Sequence, residues 1–404
     1  MKHSDDTFFQ HSRTPALDDL EPNLCHEAWV QYKATGQKGW DLSGSNPTQT
    51  SLPSIHPDPD IMRAALDAPY EASSQGLDVA RRAIAEMYDG LVDPARIQLF
   101  ASTSEAIGAL LKLLCAPGDN VVTCTPTYPL LDCLTALEGV SLLEVPLQDC
   151  AGIWAVDLWA LERTCSPNTR ALLLVSPNNP TGHLVSRDEM AALVEFCAQR
   201  AMALIVDEVF STYCLRQDGD AMSKAAAAHF SSPRDGLIVS LNGLSKVCGL
   251  PQHKLGWGIF GGAPNIVHEA MQRMSFITDS TLSVSGWVQR MTPYFLSHRD
   301  DFAQPCLARL RQNLATLESY AQKDNVQWRL DRVQGGWSAC LRLPARADDM
   351  AICAHLASRG VRVFPGSFFD FREKQPACIL SLITEPDCLD HGLQILTHEL
   401  ESLL

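Results

Sequence analysis

Ala171-Leu172-Leu173-Leu174-Val175, followed by Ser176-Pro177-Asn178-Asn179-Pro180-Thr181-Gly182, is a continuous apolar run that breaks into a proline- and asparagine-rich turn. A strand that is apolar at every position suits a sheet covered on both faces. Two more runs follow. Ala203-Leu204-Ile205-Val206 ends in Asp207-Glu208-Val209-Phe210, and Leu237-Ile238-Val239-Ser240 leads into Asn242-Gly243-Leu244-Ser245-Lys246. Upstream, Val121-Val122-Thr123-Cys124 and Leu142-Leu143-Glu144-Val145 repeat the pattern. The segments around them carry helix signals. Leu77, Ala80, Ile84 and Met87 share one helical face. A helix starts near Ser102–Ser104 and stops at Pro117-Gly118, and Ser186 with Glu189 forms a capping box. Strands separated by helices predict an α/β fold, a mostly parallel sheet between helices with its chemistry at the carboxyl ends of the strands.

The pattern changes after about residue 300. A long helix over roughly 304–323 precedes short strands near Trp328 and at Ser338–Leu343, Val361–Phe364 and Cys378–Ile383, and a last helix follows. This predicts a large domain over 61–300 and a smaller α+β domain over 301–404. The N-terminal segment 1–60 is loop-rich, with several prolines between Pro47 and Pro59, and is expected to join the small domain.

Composition narrows the function. The 404 residues are 46% hydrophobic and 20% charged, as in an ordinary globular protein. A formal charge of −15 argues against nucleic acid or an anionic membrane as the main partner, since both need a basic face. The N-terminus has no apolar run of the secretory kind, and no stretch of about 18 apolar residues suggests a membrane span. Fourteen cysteines form no C-x-x-C pair and sit singly among apolar neighbours, which reads as reduced thiols in a cytoplasmic protein.

An amide, a carboxylate and a lysine thus lie at three successive strand ends: Asn179, Asp207 and Lys246. A lysine that forms a Schiff base, with an acid facing a pyridine nitrogen, is the constellation pyridoxal 5'-phosphate needs. The N-N-P-T-G run and the S-K turn, in this order and spacing, resemble the class I/II aminotransferases of pyridoxal-phosphate fold type I, from about residue 40 onward. The resemblance implies a role for each residue. Lys246 would carry the cofactor and shuttle the substrate proton, where a lone lysine would otherwise be a solvated loop residue. Asp207 would keep the pyridine nitrogen protonated, rather than cap a helix. Asn179 would donate to the cofactor's phenolic oxygen, with a plain turn asparagine as the alternative; Asn178 is read as turn. Ala101-Ser102-Thr103-Ser104-Glu105-Ala106 would hold the phosphate at a helix N-terminus, or simply cap that helix. Ser245 and Lys254 would join the phosphate site. Tyr128 would stack on the ring, or be a core tyrosine. Tyr70 would reach the phosphate of a neighbouring subunit, implying a homodimer.

Against the same family, several positions differ. Ser102 replaces a glycine, Lys254 an arginine, Gly243 a serine and Phe210 a tyrosine; Tyr213 lies three residues on. Ile379 occupies the place of the arginine that grips the substrate carboxylate. Arg342 and Arg372 are candidate substitutes, each with a surface role as the alternative. The implied activity is amino transfer from an amino acid or related primary amine, with an oxo acid as acceptor. The rival is another pyridoxal-phosphate reaction on the same fold: elimination or replacement, decarboxylation, cyclisation or oxidation. A cofactor-binding regulator is disfavoured because the residues before the core are too few for a DNA-binding domain. Gly256-Trp257-Gly258-Ile259-Phe260-Gly261 fits the dinucleotide fingerprint, but its large apolar residues read as a strand.

Overall fold

The computed structural model describes residues 12–15, 22–150, 152–216, 226, 236–324, 326–371 and 375–403. Its apolar runs form seven strands: β1 (Ile97–Phe100), β2 (Asn120–Thr125), β3 (Ser141–Pro146), β4 (Thr169–Val175), β5 (Ala203–Asp207), β6 (Leu237–Gly243) and β7 (Gly256–Gly262). The sheet order is β1-β7-β6-β5-β4-β2-β3. β7 runs antiparallel to β1 and β6, and every other pair is parallel.

The continuous apolar runs have the cause expected of them. Ala171 and Leu173 of β4, with Ala203 and Ile205 of β5, pack into one core layer against the helices Thr103–Leu114 and Pro264–Asp279. Leu172, Leu174, Leu204 and Val206 point the other way, toward Met190 and Leu193 of the helix Arg187–Gln199. That helix opens on the expected capping box, made in both directions by Ser186 and Glu189. Helices shield both faces, so each strand can be apolar throughout.

Gly256–Gly262 is itself a strand. Its first glycine answers to packing: a Cβ on Gly256 would lie 3.0 Å from the Ser102 carbonyl carbon and 3.1 Å from the Thr103 nitrogen. The glycine therefore lets β7 pass against the start of the helix Thr103–Leu114.

A second, four-stranded antiparallel sheet follows, with β8 (Arg329–Leu330), β9 (Ser338–Arg342), β10 (Phe364–Pro365) and β11 (Ala377–Ser381) in the order β8-β9-β11-β10. Near the N-terminus, the helix Leu24–Ala34 packs on the helix Asp349–Ser358, and Trp40–Asp41 pairs in parallel with Val361–Arg362. The long helix leading to this sheet spans Arg299–Ala321 rather than 304–323, and Pro305 lies inside it. Burial of Phe302 and Ala303 holds the preceding turns against the core despite the lost N–H donor. No helix among the described residues is long and apolar enough to cross a membrane.

Candidate active site

A cavity of about 360 Å³ lies at the carboxyl ends of β4, β5 and β6 and is closed on one side by the second sheet. It gathers Lys246, Asp207, Asn179, Tyr128, Ser102, Thr103, Ser104, Ser245 and Lys254. Of the residues expected to hold the cofactor, Tyr70 stays outside, 79% exposed beside a groove that includes Thr278 and Gln289.

Asp207 is the last residue of β5, where a parallel strand delivers its final side chain to the sheet edge. Its Oδ1 accepts the Val209 N–H at 3.1 Å. Burial pushes the carboxyl up to about 6, opposed by that N–H and by Lys246. Lys246 sits in the helical turn Leu244–Val247 directly after β6. Burial pushes its ammonium down to about 8, opposed by Asp207. Its Nζ lies 4.6 Å from the Trp337 ring centre and 5.6 Å from that of Phe210. The Tyr213 hydroxyl donates to the Lys246 carbonyl oxygen at 2.6 Å, and Tyr213 is fully buried. Tyr213 thus braces the backbone beneath the lysine and does not line the cavity.

At the start of the helix Thr103–Leu114, Ser102 is the N-cap and its Oγ accepts the Glu105 N–H at 3.1 Å. Its φ of −163° is extended backbone, so serine in place of glycine costs no strain. Thr103 and Ser104 follow in the first turn, whose free N–H groups and dipole favour an anion. Gly243, at the end of β6, also lines the cavity, and a Cβ there would lie 3.0 Å from the Leu255 oxygen. That crowding accounts for a glycine where the resemblance suggests serine. Lys254, exposed at φ 49°, adds a cation to the same wall. Burial and Asp207 push the Tyr128 phenol up, opposed by a hydrogen bond with Ser104. Asn179 Oδ1 accepts the Ser338 hydroxyl at 3.1 Å, which orients the amide. Asn178 is the turn residue: its Oδ1 accepts the Thr181 N–H at 3.1 Å and hydroxyl at 2.8 Å, and its Nδ2 donates to the Pro126 oxygen at 3.2 Å.

Arg342 does not line the cavity. It is buried beside Asp149 (3.7 Å) and Asp331 (3.6 Å), and its guanidinium carbon lies 5.4 Å from the Trp154 ring centre and 5.1 Å from that of Phe371. Asp331, whose carboxyl burial pushes up to about 6, depends on Arg342 and then Arg329 to hold it down. Arg342→Ala is therefore expected to cost stability, about 1–3 kcal/mol, because the buried Asp331 is left with the half-exposed Arg329 and the Trp154 N–H alone, while KM in the folded enzyme stays unchanged. Urea melts and steady-state kinetics on the same variant check both halves. Arg372 lies outside the described residues.

Trp337, Ser338, Phe364, Phe369 and Ser381 also line the cavity, with Ser43 and Ser45 from the N-terminal segment. Sequence reading did not single them out. The available signal was Gly335-Gly336: a Cβ on Gly335 would lie 2.9 Å from both the Pro177 Cγ and the Tyr213 oxygen. That close approach delivers Trp337 to the turn after β4.

The arrangement suits a small aromatic aldehyde bearing a phosphate: an amine with a weakened hold on its proton, a buried acid, and an anion site at a helix start. Comparison with known proteins agrees. The chain is 30% identical over 242 residues to an alanine aminotransferase of Mycobacterium tuberculosis, covering 57% of this chain and 54% of that protein. The chain thus spans about half the length of the first curated relatives it matches. A histidinol-phosphate aminotransferase of Erythrobacter litoralis is 25% identical over 346 residues, covering 83% of this chain and 88% of that one. The solved structure of an alanine aminotransferase from Pyrococcus furiosus superposes with a TM-score of 0.84 at 17% identity, covering 96% and 100% of the two chains, which shows the fold. The family model for aminotransferases of class I and II, enzymes that work with pyridoxal 5'-phosphate, matches residues 70–381. That match takes in the large sheet, the lysine turn and the whole of the second sheet, and the chain belongs to the class I and II aminotransferase family.

Proposed function

We propose that this protein is a pyridoxal-5'-phosphate-dependent aminotransferase that draws its amino group from an amino acid or related primary amine and passes it to an oxo acid. The observation that carries the reading is the meeting of Lys246 and Asp207 in one cavity, with the lysine's ammonium destabilised by burial. When bound, the cofactor supplies an electron sink for negative charge at the substrate carbon. Lys246 would hold the cofactor through its aldehyde carbon and, once displaced by substrate, would carry the proton from the substrate carbon to that cofactor carbon. Asp207 holds a proton on the ring nitrogen, Tyr128 covers the ring, and Asn179 donates to the phenolic oxygen. Ser102, Thr103, Ser104, Ser245 and Lys254 hold the phosphate. Borohydride reduction of the loaded enzyme, followed by peptide mass analysis, is expected to tag Lys246, and an added amine donor is expected to leave pyridoxamine phosphate. A tag on another lysine would overturn the assignment.

Capture of cofactor by the empty protein should follow the Lys246 amine. With the ammonium pushed down to about 8, about a tenth of the chains carry the reactive neutral amine at pH 7. The capture rate is therefore expected to rise with pH and level off above about 8, measured by stopped-flow absorbance. A rise continuing past pH 10 would mark an ordinary solvated lysine.

The chain divides on this reading into a large cofactor-binding domain over 61–300 and a small domain over 301–404 that the first 60 residues join, in line with the pairing of Trp40–Asp41 with Val361–Arg362. A cytoplasmic homodimer, with Tyr70 reaching the neighbouring subunit's phosphate, fits the exposure of Tyr70 on a single chain and the free cysteines. A second reading, another pyridoxal-phosphate reaction, is favoured by Ile379 in the cavity wall and by 29% identity over 270 residues to the capreomycidine synthase of Streptomyces vinaceus. Release of ammonia or carbon dioxide with the cofactor left in its aldehyde form would select it.

A further inference from the structure

We propose that Trp337 is a positioning residue for Lys246: the face of its indole, with the Phe210 ring beside it, seats the lysine's ammonium whenever the amine is free of the cofactor. The inference rests on the Schiff-base role of Lys246 proposed above and adds the group that receives its protonated form.

The two partners come from different sheets. Lys246 follows β6 of the large sheet, and Trp337 immediately precedes β9 of the second. The Lys246 Nζ lies over the Trp337 ring, 4.6 Å from its centre, and over the Phe210 ring at 5.6 Å. The two ring centres are 5.5 Å apart and the planes are tilted by 57°, so they form a corner around the amine. Both residues line the cavity. A cation within about 6 Å of a ring centre is drawn to the negative face of the π system, most strongly for tryptophan and where water is excluded.

Trp337 is held where the amine needs it. It is 1% exposed, and the Leu382 N–H donates to its carbonyl oxygen at 2.6 Å. The rings of Tyr213 and Phe302 back the indole at 5.2 and 6.3 Å. Tyr213 fixes both partners at once: its hydroxyl grips the Lys246 carbonyl oxygen while its ring packs on Trp337. A seat already in place needs no ordering when the lysine swings to it.

Two effects act on the amine in opposite senses. Burial strips its water and favours the neutral form, which bonds the aldehyde carbon. An aromatic face favours the ammonium, the form in which Lys246 carries the substrate proton. A ring suits that interval better than a carboxylate would, because it steadies the charge without offering an acceptor for the proton. The charged and titratable neighbours are Asp207 at the end of β5 and Cys306 of the helix Arg299–Ala321, both of which favour the ammonium, with Tyr128 and Lys254 also lining the cavity. Asp207 has lost its proton before Lys246 titrates, while burial keeps the Cys306 thiol, pushed up to about 12, and the Tyr128 phenol neutral. Lys254 is common to parent and variants and cancels in a comparison.

The test uses the full-length protein freed of cofactor and reads the pH midpoint of pyridoxal 5'-phosphate capture by stopped-flow absorbance. Trp337→Leu keeps an apolar surround and removes the ring. Its midpoint is expected to fall by about half a pH unit or more, raising the fraction of the plateau rate reached at pH 7 about two- to threefold. Trp337→Phe restores a smaller face and is expected to recover at least half of that shift. Phe210→Leu should move the midpoint the same way by less, and decides alone if Trp337→Leu does not fold. An unmoved midpoint, a shift that phenylalanine leaves unrecovered, or a rise, which would mean that the indole only keeps water out, would overturn the proposal. All of this is read before any amino donor is added. The expected shifts in a protein that never yields pyridoxamine phosphate would therefore sink the transfer reading and leave the seat standing, and a borohydride tag on another lysine would remove both.

Discussion

Lys246→Ala is expected to lower turnover by about ten-thousandfold or more. The same amine is asked to do two jobs, to bond the cofactor and to move the proton at the substrate carbon, and no neighbour can take over either. Asp207 is a carboxyl, and Lys254 sits on an exposed left-handed turn at the phosphate wall. The fold should survive the change. Tyr213 grips the carbonyl oxygen of residue 246, not its side chain, so alanine keeps the brace. Removing the ammonium takes from Asp207 the cation that opposes its burial, but the Val209 N–H still holds that carboxyl, which can also take up a proton. Circular dichroism and thermal melting should therefore match the parent while kcat collapses and borohydride no longer tags the turn. A variant that turns over at the parental rate would remove Lys246 from the reaction.

The legibility of this site in sequence follows its geometry. Asp207 is a strand's last residue, and Asn179 and Lys246 lie within four residues of their strand ends, so a parallel sheet brings them together whatever the helices do. Ser102 to Ser104 were readable because a cap and a helix start are local. The second-sheet wall was not. Trp337, Phe364 and Ile379 reach the cavity through cross-strand pairing and the approach of Gly335 to Pro177, which no local pattern encodes. Arg342 illustrates the reverse error. Sequence offers it either as a substitute for the missing carboxylate-binding arginine or as a surface residue, but it is buried against Asp149 and Asp331, partners fixed by tertiary packing, Asp149 from far upstream. Tyr213 is intermediate: its closeness to Phe210 was visible, while the direction of its hydroxyl depended on how the lysine turn packs.

Asp207→Asn should cost about a thousandfold in kcat and should also change how cofactor binding responds to pH. Asparagine keeps the shape and can still accept the Val209 N–H, so the loss isolates the charge. Breaking a buried charge pair typically costs about 3–5 kcal/mol, and each 1.36 kcal/mol at the transition state is tenfold in rate. The direction with pH follows from the raised carboxyl, pushed up to about 6 by burial in the empty protein. Above that value the group is a carboxylate ready to hold a protonated ring nitrogen; below it the proton neutralises the charge before the cofactor arrives. Affinity for pyridoxal 5'-phosphate in the parent should therefore weaken as pH falls through about 6, whereas the asparagine variant, weak throughout, should lack this particular step. Asp207→Glu retains the charge and should recover part of the rate even where its longer side chain loses alignment. Equilibrium titration of cofactor at pH 5, 6, 7 and 8 for the three proteins reads the charge apart from the packing. An asparagine variant with parental kcat and an unaltered acid limb would mean that the ring nitrogen does not face Asp207.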